Sequence, residues 1–413
     1  MTHYVIIGGG PAGATAAETL RNLDEKGEIT IISDEGPPFY KREHIASLIS
    51  NDRTEEDLFV KGRDFYNNIR SAFVKGFVSK ISTKGNQVFL DDGSIVKYDS
   101  LLIASGGKPV VMSWPGIKLE GISTLYTLDD AKNVTKLAKE ANNVVIIGGG
   151  TIGMKAIPHL RKIGLKVTLV EKMDLLCCMM FDNKASSIVE KTLKENGTEI
   201  LLNDEVIEFK GSNRKVNQVL LKSHHTISCD LVIVIIGIRP NIDFLKDSMI
   251  THDGGVLVDQ YLRTNIPNVY AAGDVAQVPD PLFQKPTLHP TWGYAKEQGE
   301  IAAYNMAGFE KEYEGAVPLF SFNIHDLGVV TAGITRPHGN FEILSRFSLQ
   351  EGIYRKFVLN ENKLIGALII GKKINRKQLK PLLKKAILKM VDVSARKTEL
   401  LKDDFDFNSI LKN

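Results

Sequence analysis

The sequence has 413 residues, too many for one hydrophobic core, so two or three domains are expected. Its 43% hydrophobic and 24% charged residues exclude a disordered chain, and a net charge of only +3, spread along the chain, argues against nucleic acid as a partner. Three cysteines, Cys177, Cys178 and Cys229, are too few for a disulfide scaffold and fit a reducing, cytoplasmic setting, while no apolar run is long enough to predict a membrane span.

In chain order, the first element is a short apolar run from Tyr4 to Ile7, of buried-parallel-strand type, entered with no charged leader before it. It runs into Gly8, Gly10 and Gly13 and then a helical pattern. A second apolar run, from Ile29, ends in the acids Asp34 and Glu35. The whole unit recurs: the run from Val144 leads to Gly148, Gly150 and Gly153, a helical pattern follows, and the run from Val167 ends in Glu171. Both copies keep the G-x-G-x-x-G spacing, and the chemistry of a bound pyrophosphate requires it. The first glycine makes the sharp strand-to-helix turn, the second lets the phosphates approach the backbone, and the third lets helix and strand pack closely. The helix then offers unpaired N–H groups and a partial positive charge to the anion. Two dinucleotides are therefore expected, one on Gly8, Gly10, Pro11, Ala12 and Gly13, the other on Gly148, Gly150, Thr151, Ile152 and Gly153.

Glu171 lies at the roughly 20-residue interval where an acid accepts hydrogen bonds from the adenosine ribose, and a carboxylate there repels a 2′-phosphate. The second unit should thus prefer NADH to NADPH; the adjacent Lys172 weakens the preference without reversing it. In the first unit Asp34 and Glu35 are both candidates for the ribose. Cys177 and Cys178 follow in a loop and are read as packing residues, because adjacent cysteines make a strained disulfide and a poor metal pair. From about Val317 the pattern changes to short alternating segments such as 353–359 and 363–370, read as antiparallel strands, followed by basic helical stretches that include 372–389.

The run at 264–274, Thr-Asn-Ile-Pro-Asn-Val-Tyr-Ala-Ala-Gly-Asp, resembles the second FAD fingerprint of the FAD- and NAD-binding reductases related to glutathione reductase. The segments 101–109 and 231–241 resemble the places where such a chain leaves its FAD domain and returns from its NAD domain. The resemblance covers nearly the whole chain. It implies an α/β protein with two Rossmann-like dinucleotide-binding domains of glutathione-reductase type and an α+β C-terminal interface domain. The FAD domain would occupy 1–110 and 241–315, the NAD domain 111–240 and the interface domain 316–413. It further implies that FAD is held by Ala104, Ser105, Gly106, Gly273 and Asp274, whose carboxylate would meet the ribityl chain, and that Gly237 borders the NAD site. Residues 38–47 resemble a segment in which an arginine helps to hold FAD, which nominates Arg42. The segment from Leu288 resembles a helix whose N-terminus, here Thr291 and Trp292, points at the flavin pyrimidine edge.

The nearest likeness is to members lacking a redox disulfide: rubredoxin and ferredoxin reductases, the FAD part of NADH-dependent nitrite reductases, and NADH oxidase-like flavoproteins. No cysteine precedes Cys177, which rules out both flavin–disulfide exchange and a single-cysteine peroxidase mechanism. Many relatives of ferredoxin-reductase type carry a lysine and a glutamate where this chain has Ser47 and Lys155. Lys155 is therefore the one side chain nominated as catalytic, a cation that would favour electron-rich flavin. His289 and His325 are read as structural. The expected function is FAD-dependent transfer of electrons between NAD(H) and a rubredoxin, ferredoxin or iron–sulfur subunit, by a homodimer or within a larger redox complex. An NADH oxidase is the alternative. A redox-sensing flavoprotein with little turnover, similar to apoptosis-inducing factor, is the alternative of another class.

Overall fold

The computed structural model describes residues 1–36 and 38–411. The chain divides into two compact units: the first comprises 1–41, 56–108 and 238–316, the second 42–55, 109–237 and 317–413.

The first unit is built on a five-stranded parallel sheet, in the order Val269–Ala271, Ser100–Ile103, His3–Ile7, Glu28–Ser33, Ala72–Lys75. Its central strands are buried on both faces, which is why they read as continuous apolar runs and not as alternation. The helix Pro11–Leu23 leaves the central strand and packs against the helix Trp292–Met306. That packing is close because position 299 is glycine: a Cβ there would lie 2.2 Å from the Ala12 carbonyl oxygen. Two small three-stranded sheets, one of 78–82, 87–90 and 95–97 and the other of 256–257, 276–278 and 287–288, complete the unit.

The second unit repeats the plan. Its parallel sheet has the order Thr198–Leu201, Lys166–Val170, Asn143–Ile147, Leu231–Val234, Ile122–Thr124. In both units the strand that precedes the glycines lies between a neighbour reached through its own helix and a neighbour from much later in the chain. That reversal of strand order opens a crevice at the carboxyl ends of the strands, where α/β sheets bind ligands. The α/β class and the doubled Rossmann-like plan expected from the sequence are both present.

Residues 317–411 of the same unit form an antiparallel sheet, ordered Leu319–Ile324, Leu327–Gly333, Lys363–Lys372, Ile353–Asn360, Glu342–Ser348, with the helix Arg376–Leu388 packed on it. The basic helical stretch begins later than the run from Lys372 suggests. Lys372 ends a strand, and the side chain of Asn375 caps the helix by accepting the N–H of Gln378 at 3.3 Å. An asparagine cap, more than the lysines, sets where the helix starts. Asp182, which caps the helix Asn183–Glu195, also accepts Lys356 Nζ at 2.7 Å and the Tyr354 hydroxyl at 2.8 Å. This ties the nucleotide-binding fold to the C-terminal sheet within the unit.

Among the described residues no helix is long and apolar enough to cross a membrane.

Candidate functional site

In the first unit the three motif glycines do different jobs. Gly8 has a φ of +112°, and a Cβ on it would meet the Ala104 carbonyl oxygen at 2.1 Å, so it makes the turn and seats the turn against the neighbouring strand end. A Cβ on Gly13 would meet the Gly8 oxygen at 1.9 Å, so the helix can approach the turn only with glycine there. Gly10 is the opposite case: nothing lies within 4 Å of where its Cβ would be. It is the N-cap of Pro11–Leu23 and makes no side-chain cap, and Pro11 sits at the first helical position, where a missing N–H does no harm. An open cradle faces the unsatisfied N–H groups of a helix N-terminus, the arrangement that takes a pyrophosphate. The Tyr66 hydroxyl donates to the Gly9 carbonyl at 3.1 Å, and burial raises its pKa, so it stays a protonated donor fixing that loop.

The other first-unit candidates gather around this turn. Ala104 donates its N–H to Ile7, and the Ser105 hydroxyl and the Gly106 carbonyl are bonded to the backbone of Asn241 at 2.7 and 2.9 Å. A Cβ on Gly273 would lie 3.2 Å from the Ala12 Cβ, and its buried N–H donates to Gln298 Oε1 at 2.7 Å. The half-buried Asp274 is thereby held next to the start of the first helix. Thr291 caps Trp292–Met306 by accepting the Tyr294 N–H. The indole Nε1 of Trp292 is buried with no partner among the described residues, a donor left for something else. Open space at Gly10 and Gly106 and this orphaned donor fit a large ligand rich in acceptors, as FAD is.

Of the two acids, Asp34 is exposed and spends one oxygen on the Glu35 N–H at 3.0 Å, whereas Glu35 is half-buried and accepts the Tyr40 hydroxyl. Arg42 belongs to the second unit. There its guanidinium donates to the Tyr126 carbonyl at 2.7 Å and stacks 4.4 Å from the centre of the Tyr126 ring.

The second unit repeats the cradle. Gly148 has a φ of +109° and backs onto the Ile235 oxygen, which a Cβ would meet at 2.1 Å; a Cβ on Gly153 would meet the Gly148 oxygen at 2.6 Å. Around Gly150 there is again open space, and Thr151 and Ile152 begin the helix. Glu171 is locked in place: one carboxylate oxygen accepts the Gly149 N–H at 2.6 Å and the other the Met173 N–H at 2.8 Å. Cys177 donates its N–H to the Gly149 carbonyl at 2.9 Å, so the loop after Glu171 clasps the glycine turn. Burial pushes the Cys177 thiol up, away from reactivity, and all three cysteines are free. Gly237, with open space at its Cβ position, accepts the Val110 N–H at 2.9 Å.

Lys155 lies one turn into this helix, and its charged neighbours are 43, 376 and 380. Burial lowers its pKa, Glu43 opposes the shift, and Arg376 and Lys380 add to it; burial lowers both of those groups as well. The sequence could not pair these residues, since they come from three distant segments. It also missed Asp280, whose carboxylate approaches the ring of the buried His289 at 2.9 Å. His325 has a φ of 52° in the hairpin turn between Leu319–Ile324 and Leu327–Gly333.

Residues 2–302 match the family described as pyridine nucleotide-disulphide oxidoreductase, and 318–387 match the rubredoxin NAD+ reductase C-terminal domain. The NADH-dependent phenylglyoxylate dehydrogenase subunit epsilon of Aromatoleum evansii is 30% identical over 86% of this chain and 85% of its own. The nitrite reductase [NAD(P)H] of Bacillus subtilis is 29% identical over 89% of this chain, which spans only 45% of that protein. Among solved structures, the NADH:rubredoxin oxidoreductase of Clostridium acetobutylicum has a TM-score of 0.78 at 25% identity, over 100% of this chain and 99% of its own.

Proposed function

The chain belongs to the pyridine nucleotide-disulphide oxidoreductase family, and we propose that it is a FAD-dependent NADH:acceptor oxidoreductase, passing electrons between NAD(H) and a rubredoxin, ferredoxin or iron–sulfur subunit. The observation that carries this is the pair of cradles, each open only at its middle glycine, in a chain with no cysteine before Cys177. Thiol chemistry is thus left out, and the electrons would leave the flavin directly for an acceptor. Bound flavin supplies the conversion of a two-electron donor to single-electron steps.

The protein's part is positioning and charge. The turn at Gly8–Gly13 and the helix behind it would hold the FAD pyrophosphate, with Glu35, in preference to the exposed Asp34, on the adenosine ribose. Ala104, Ser105, Gly106, Gly273 and Asp274 would border the flavin side. Thr291 and Trp292, at a helix N-terminus, would stabilise negative charge on the ring. Gly148, Gly150, Thr151, Ile152, Gly153 and Gly237 would hold NADH, and Glu171 would accept from its ribose and disfavour a 2′-phosphate. Three free thiols suit a reducing cytoplasm. The name of the Aromatoleum relative, a subunit, supports work within a larger complex as much as a homodimer.

Stopped-flow mixing with NADH tests the reading. Fast bleaching of the flavin, slow reoxidation in air and rapid reoxidation by a rubredoxin or ferredoxin are expected. Rapid reoxidation by air alone marks an oxidase, and slow bleaching with a long-lived charge-transfer band marks a sensor.

For Lys155 the proposal is electrostatic. A cation at Lys155, set among Arg376 and Lys380 with Glu43 as the opposing charge, would favour the electron-rich form of bound cofactor. Lys155→Met is expected to lower the flavin midpoint potential by on the order of 30 mV. Spectroelectrochemical titration checks this, and an unmoved potential removes Lys155 from the mechanism.

A further inference from the structure

We infer that Glu205 is a specificity latch: its carboxylate engages Lys172, the residue after Glu171, and Lys222, and so denies them to the 2′-phosphate of NADPH. The inference rests on the reading that the second cradle holds the dinucleotide with Glu171 at the adenosine ribose. Lys172 follows Glu171 directly, and its ammonium lies 2.6 Å from one oxygen of Glu205. Lys222 lies 3.1 Å from the other. Both lysine side chains are more than 70% exposed and the Glu205 side chain is only 28% exposed, so the carboxylate is the fixed member and the lysines are the ones drawn in.

The backbone puts Glu205 where it can do this. Asn203 donates its N–H to the Met173 carbonyl at 3.0 Å, Asp204 donates to the Glu171 carbonyl at 3.3 Å, and Lys222 donates to the Glu205 carbonyl at 2.8 Å. Residues 203–205 therefore run alongside 171–173, at the ribose end of the crevice. Asp204 is otherwise engaged: it accepts the Glu205 N–H, the Ser223 N–H and the Ser223 hydroxyl. The bonds from Lys172 and then Lys222 hold the Glu205 carboxyl below the usual carboxylate range, so it is charged at neutral pH. A phosphate arriving beside Glu171 meets two carboxylates, and two lysines that are already paired.

The latch contributes little to folding, since exposed ion pairs are worth little. It can still decide ligand choice, because a freed lysine makes a charge-assisted bond to phosphate. The experiment titrates the flavin-loaded full chain with 2′,5′-ADP and with 5′-AMP by isothermal calorimetry. Glu205→Gln is expected to tighten 2′,5′-ADP about tenfold while 5′-AMP stays within about twofold. Lys172→Met added to Glu205→Gln should cancel most of the gain. Glu205→Ser, expected to behave the same way, covers a Glu205→Gln protein that does not fold. If 5′-AMP binds normally and neither Glu205 variant tightens 2′,5′-ADP, the latch is wrong. If instead the unaltered protein does not bind 5′-AMP, or Glu171→Gln leaves its affinity unchanged, the nucleotide site itself is misassigned.

Discussion

Protein carrying Gly10→Asp is expected to fold, to melt within about 2–4 °C of the unaltered chain stripped of its flavin, and to be colourless. The fold should tolerate the change because Gly10 has ordinary extended backbone, with φ −74° and ψ −170°, and nothing within 4 Å of the new Cβ. Aspartate is also a favoured N-cap, so the helix Pro11–Leu23 loses nothing at its start. What is lost is the cradle. The carboxylate takes the N–H groups meant for the pyrophosphate and repels it at the positive end of the helix. Gly13→Ala should fail differently. Its Cβ would be driven to 1.9 Å from the Gly8 oxygen, a backbone atom that cannot swing away, so that variant is expected to lose stability as well as cofactor. Flavin absorbance per chain and a thermal melt separate the two outcomes. A Gly10→Asp protein that purifies yellow would mean that this turn does not hold FAD.

The contrast between these glycines shows how much of the site the sequence exposes. Spacing alone marks Gly8, Gly10 and Gly13, because a strand-to-helix turn over a phosphate needs glycine at those intervals. Spacing cannot say which glycine is compelled by the protein's own backbone and which is left open for a ligand; that depends on Ala104, brought alongside by the parallel pairing of 100–103 with 4–7. Glu171 was legible as the acid ending a strand. Its second task, fixing Gly149 through 2.6 Å of hydrogen bond, depends on a loop path with no periodic signal. The C-terminal strands were legible from alternation, whereas the helix start was displaced because Asn375 and not the lysines determines it. Least legible are the charge groupings. Glu205 meets Lys172 and Lys222 only through the turns after 201 and 221, and Lys155 meets Glu43, Arg376 and Lys380 only through tertiary packing. Charges on a solvated surface carry no pattern until the chain is folded.

The second glycine to be tested is Gly150, and the expected result is yellow protein that NADH no longer reduces. Gly150→Asp is as well tolerated as its counterpart, since Gly150 has φ −82° and ψ −178°, also caps a helix and also faces open space. It lies in the other compact unit, so the FAD turn keeps its own contacts. Loss of the pyrophosphate interaction should cost about 3 kcal/mol of nicotinamide affinity, a fall of roughly 100-fold or more in the NADH reduction rate at low NADH. A chemical reductant that needs no binding site should bleach the variant at the normal rate, which isolates the defect to NADH. If Gly150→Asp protein is also colourless, the cradles are not independent. If it is reduced by NADH as fast as the unaltered chain, the nicotinamide does not use the second cradle, and the doubled motif has some other reason to exist. Only cofactor retention with loss of NADH reduction agrees with one cradle for each nucleotide.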